Sequence, residues 1–166
     1  MSARVLSRVA ALAAVYSLLT VLPPLNALGY GPIQVRVAEA LTVLPFVFPW
    51  APWGLYLGCI LANLGSPFLV WDLTLGAFSS LAGAFLTGRM PSPLFAPLPP
   101  VIVNAVLVSI YVAPLSGMPY PVVALYIAAG QAVACYGLGY PLLAYILRNQ
   151  RLREVLSVEQ SHEGTV

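Results

Sequence analysis

Residues 36–39 read RVAE, which sets an arginine and a glutamate three positions apart in a chain that is 60% hydrophobic and only 7% charged. At that spacing Arg36 and Glu39 are neighbours on one helical face, either as a structural ion pair or as contacts for a polar ligand. Asp72, in WDLTLG, is the third charge away from the expected cytoplasmic ends, and it suits a helix amino-terminal cap as well as it suits a ligand contact. Three amides extend the set: Asn63, Asn104 and Gln131. Buried amides often do no more than join neighbouring helices. A carboxylate, however, accepts two parallel N–H bonds from a guanine-like edge, while an amide both donates and accepts. Tyr30, Trp71, Tyr120 and Tyr126 offer flat stacking surfaces, the plainer alternative being anchors at a membrane interface. Joined in one place, these groups would hold a small, flat, polar molecule with several donors, and the acids would favour a cationic substituent on it.

The elements that must position them are membrane helices. A soluble domain carries roughly 25% charged residues, and the 7% found here cannot cover a water-facing surface. Proline and glycine clusters at PWAPWG (49–54) and PLSGMPYP (114–121) divide the long charge-free intervals. The expected architecture is an all-α, six-transmembrane-helix bundle with spans near 5–24, 36–49, 53–69, 72–88, 99–115 and 121–147. Residues 1–147 form the membrane domain and 148–166 a cytoplasmic tail that includes His162, the single histidine. The start of the chain, Arg4 and Arg8 before VAALAAVYSLL, has the look of a signal peptide but is read as the first span. Arginines 4, 8, 89, 148, 151 and 153 then share one side, which makes both termini cytoplasmic. Arg36, Glu39 and Asp72 fall toward the outer face, whereas Asn104 and Gln131 lie about 16 Å deep at helical rise.

Several chemistries are excluded. The chain has no lysine, so it has no Walker A site for ATP. It has no HExxH, GxSxG or CxxC motif, and its one histidine lies in the tail, so an enzyme is not expected and neither a metal nor a cofactor is called for. The net charge of +2 is too small for a nucleic-acid footprint. Cys59 and Cys135, each inside an apolar run, read as packing residues. Gly54 and Gly58 form a small-xxx-small face suited to internal packing, and Ala10 and Ala14 form another that suits packing and a partner protein equally.

YGPIQVRVAEALTVLPF, GLYLGCILANL, FAPLPPVIVNAV and GQAVACYGLGYPLL together resemble the QueT family, over nearly the whole chain. That family comprises substrate-binding S components of energy-coupling factor (ECF) transporters. The resemblance implies capture of a queuosine precursor, a 7-deazapurine such as preQ1 or queuine, from outside the cell. It implies a plasma-membrane partner assembly of one transmembrane coupling subunit and two ATPases, with Ala10 and Ala14 against the coupling subunit. Glu39 would then take the guanine-like N–H edge, Asp72 an aminomethyl cation, and Asn104 and Gln131 the remaining ring heteroatoms, under a lid at Asn26 to Gln34. The competing reading is a self-sufficient carrier or channel for a small polar solute, which would be expected to show internal repeats. None is visible in the sequence.

Overall fold

The computed structural model describes residues 2–22 and 36–156, and the described residues contain no strand. Helix α1 (Ala3–Val21) starts on Ser2, whose hydroxyl accepts from Val5 N. It packs along α3 (Ala51–Ala62), and two glycines set how closely. A Cβ on Gly54 would stand 2.9 Å from Leu12 Cβ, and one on Gly58 would stand 2.8 Å from Tyr16 Cβ and 3.1 Å from the Ala13 carbonyl. The glycine face of α3 is therefore an internal seam, as its spacing suggested.

Between them runs α2 (Val37–Phe46), wound as a 3-10 helix for all of its ten residues. Such windings rarely exceed three or four residues, so something must hold this one. Pro45 has no N–H to donate, and the Thr42 hydroxyl donates to the Glu39 carbonyl three residues back at 2.6 Å. Seven of the ten residues are buried, Glu39 among them.

The next helix, α4 (Leu69–Thr87), begins three residues earlier than the sequence suggested, and α3 ends seven residues earlier. The cause is the Ser66–Pro67 step, since the residue before proline is pushed out of helical conformation. Asp72 thus lies inside α4 and is not its amino-terminal cap. A wide π turn at Asp72–Gly76 interrupts α4. Helix α5 (Leu98–Ser116) closes on Gly117, whose φ of 70° is the left-handed conformation that glycine adopts freely. Helix α6 (Tyr120–Arg148) carries a second π turn at Val133–Gly139. There, a Cβ on Gly139 would come 2.8 Å from the Ala40 carbonyl, so that glycine brings α6 flush against α2.

The tail opens with α7 (Gln150–Leu156), which docks on the body. Arg8 Nη2 donates to the Val155 carbonyl at 2.7 Å and Trp50 Nε1 to the Leu156 carbonyl at 3.0 Å. His162, Tyr30 and the Asn26–Gln34 loop lie outside the described residues.

The distribution of polarity is that of a membrane protein. Leu6, Leu18, Phe78, Ile102, Ile110, Leu125 and Val133 face outward, Leu125 at 69% exposure. The interior holds Glu39, Asn63, Asp72, Ser79, Asn104 and Gln131. Water would penalise that exterior, whereas hydrocarbon accepts it. Helices α1, α4, α5 and α6 are long and apolar enough to cross a bilayer, whereas α2 and α3 are shorter.

Candidate functional site: a buried polar cavity

The polar side chains singled out by the sequence converge. Arg36 and Glu39 from the start of α2, Asn63 from the end of α3, Asp72 from α4, Asn104 from α5 and Gln131 from α6 line one cavity. Tyr111, Cys59, Ser79 and Ser80 complete its polar wall. The free volume is about 30 Å³, room for about two waters at the 10–15 Å³ each requires.

Each acid is held by a tyrosine. Tyr16, fully buried on α1, donates to Glu39 Oε1 at 2.5 Å, and Gly58 is what lets the tyrosine come that close to α3. Glu39 Oε2 is buried with no hydrogen-bond partner. Asp72 is bonded at both oxygens: Tyr111 donates to Oδ1 and Ser66 to Oδ2. Gly76 makes the first contact possible, because a Cβ there would stand 3.1 Å from the Tyr111 hydroxyl. The π turn at Asp72–Gly76 brings both features to the same wall, and such widened turns recur at functional sites. Arg36 stands near enough to Glu39 and Asp72 to interact electrostatically with both.

The amides are similarly oriented. Ser79 Oγ lies 2.7 Å from the Asn104 amide and 2.8 Å from the Gly76 carbonyl, which fixes Asn104 against α4. Gln131 Oε1 lies 3.4 Å from Cys135 Sγ, which lies equally close to the Glu39 carbonyl. The Asn63 nitrogen donates to the Cys59 carbonyl at 2.9 Å, and its buried oxygen has no partner. Glu39 and Asn63 therefore present unpaired acceptors to a guest, and Asn104 and Gln131 add amides that both donate and accept. Buried polar atoms are nearly always paired in native proteins, so two orphaned acceptors in one wall mark a place where a polar guest is wanted.

The aromatics fall elsewhere. Trp71 is 48% exposed and stacks on Tyr111 at 6.1 Å and 10°, outside the lining. Tyr120 and Tyr126 are also exposed. Tyr16 and Tyr111 do the holding instead, and the sequence did not single them out. Each sits in an apolar helical run, where a tyrosine resembles any other packing residue, and only the facing acid marks it. Both cysteines are buried and free, and Cys59 reaches the cavity wall. Ala10 and Ala14 are exposed on α1.

An apolar exterior around a buried, charged cavity defines a multi-pass membrane protein with an internal polar chamber. The chain belongs to the QueT transporter family, which it matches from residue 6 to residue 148. A relative, the queuosine precursor transporter QueT of Lactococcus lactis subsp. cremoris (strain MG1363), is 38% identical over 92 residues. That alignment covers 52% of this chain and 53% of the relative, about half the length of each. No solved structure matches the chain.

Proposed function

We propose that this protein is the substrate-capturing S component of an ECF-type importer, and that its cavity binds a queuosine precursor of the 7-deazapurine class. The observation that carries this reading is the presence of orphaned acceptors on Glu39 and Asn63 beside the Asn104 and Gln131 amides in one buried cavity. A 2-amino-4-oxo pyrimidine ring has the complementary outline: adjacent N–H donors on one edge, and a carbonyl and ring nitrogen elsewhere. Glu39 takes the donor edge through Oε2 while Tyr16 holds Oε1 in place. The bicyclic head exceeds the present free volume of about 30 Å³, so capture widens the cavity through movement of its walls. Such adjustment is common where binding is coupled to a conformational change.

In this reading α1 to α6 lie in the plasma membrane as a six-helix bundle, in which the shorter α2 and α3 pack among the four longer helices, with both termini in the cytoplasm and the cavity serving the outer side. The chain has no lysine with which to build a P-loop. Energy therefore comes from two ATPase subunits acting through a transmembrane coupling subunit. The exposed Ala10 and Ala14 supply a flat, close-approach surface for that subunit. Direct titration of the detergent-purified protein with preQ1, queuine and guanine tests the substrate class. Micromolar or tighter binding of a deazapurine is expected, and no binding of any of them would reject it.

A further inference from the structure

A second cavity adjoins the first. It has a volume of about 70 Å³ and is lined by Ser66, Pro67, Phe68 and Val112, and it shares Arg36, Asp72 and Val108 with the polar cavity. Asp72 is the partition. Tyr111, which lines the inner cavity, donates to Oδ1, and Ser66, which lines the outer one, donates to Oδ2. Each carboxylate oxygen has two acceptor positions, so each can take a second donor beside its hydroxyl. The carboxylate is thus presented to both spaces at once, 6% exposed and braced from either side. Beyond it the walls are mixed, with a proline, a phenylalanine ring and two valines beside the Ser66 hydroxyl and Arg36. At 10–15 Å³ per water-sized group, the outer space holds about five such groups, the size of a five-membered ring.

We infer that the outer cavity is a second subsite, which takes the substituent of a ligand whose head fills the inner cavity and whose amine lies on Asp72 between the two. The inference rests on the deazapurine reading and specifies it further. The preferred ligand carries a ring beyond its amine, and Val112 and Phe68 determine that preference. An ammonium at the partition accounts for a buried acid accessible from both spaces, and a hydroxylated ring suits the compartment behind it, where Phe68 and two valines supply apolar wall and Ser66 and Arg36 supply polar groups. A ligand ending at the amine leaves that compartment unfilled.

The test uses three probes on the full-length protein in detergent: 7-deazaguanine (head alone), preQ1 (head with aminomethyl) and queuine (aminomethyl bearing a hydroxylated cyclopentenyl ring). Wild-type protein is expected to bind queuine at least tenfold tighter than preQ1, and preQ1 tighter than 7-deazaguanine. Val112→Phe, which fills the outer space, should weaken queuine at least tenfold and preQ1 less than threefold. Phe68→Ala removes the opposite wall and should produce the same selective loss for queuine, which covers the case in which Val112→Phe fails to fold. Equal weakening of queuine and preQ1 by these variants, or wild-type queuine binding no tighter than preQ1, overturns the second subsite while leaving the deazapurine reading intact. No binding of any probe to wild-type protein overturns both.

Discussion

Glu39→Gln changes one atom in the cavity and isolates what the free carboxylate oxygen does. The side chain is 3% exposed, Oε1 is held by Tyr16 at 2.5 Å, and Oε2 has no partner. In the variant the amide oxygen keeps the Tyr16 bond, so the new N–H2 group replaces Oε2 and turns two donors toward the donor edge of the ligand. A hydrogen bond to a charged group contributes about 1.5–3 kcal/mol, and at about 1.4 kcal/mol per decade the dissociation constant should rise roughly 10- to 150-fold. The unliganded protein should lose some stability, because the neutral amide no longer offsets the Arg36 charge and its N–H2 group has no partner at the Oε2 position. Isothermal titration calorimetry supplies the affinity, and a thermal melt of the empty protein supplies the control. A variant that binds preQ1 or queuine within twofold of wild type would refute the assignment of Oε2 as the ligand contact. A variant that melts several degrees lower when empty and still binds with wild-type affinity would show that Glu39 is chiefly structural.

Other expected outcomes follow from the same contacts. Gly58→Ala places a Cβ against Tyr16 and the Ala13 carbonyl, and should cost about 1–3 kcal/mol of stability by overpacking; an unchanged melting temperature would show that the α1–α3 seam is looser than described. Tyr111→Phe removes one donor from Asp72 and should destabilise the protein by about 1–3 kcal/mol, read as a lower melting temperature with and without ligand. Ala10→Leu with Ala14→Leu should leave ligand affinity within twofold and abolish ATP-driven uptake in proteoliposomes holding the full importer, since both side chains point away from the cavity-lining elements. Uptake by liposomes holding this chain alone should be absent, and concentrative uptake there would favour the self-sufficient carrier.

The sequence revealed the site more readily than its scaffolding. A carboxylate or amide inside an apolar run is expensive in a bilayer, so Glu39, Asp72, Asn104 and Gln131 stand out by type alone, and all four line the same cavity. Helix boundaries were legible where proline or glycine enforced them, as at Gly117, and misjudged at Ser66–Pro67, where an apolar run continues through a backbone break. The 3-10 winding of Val37–Phe46 and the two π turns left no readable trace, because they depend on tertiary contacts such as Thr42 with Cys135 and Gly139 with Ala40. Tyr16 was hidden for the same reason: its importance comes from a partner 23 positions away.

The unusual coil of α2 links the position of Glu39 to a pitch. Ten residues at about 2.0 Å rise extend about 20 Å, whereas the same ten in α form would extend about 15 Å. The two coils also advance by about 120° and 100° per residue, so a change from one to the other between Glu39 and Thr42 would swing the carboxylate by about 60° around the axis. A stretched spring of this kind converts a few ångströms of axial slack into a new bearing for one acid, without any other helix needing to unfold.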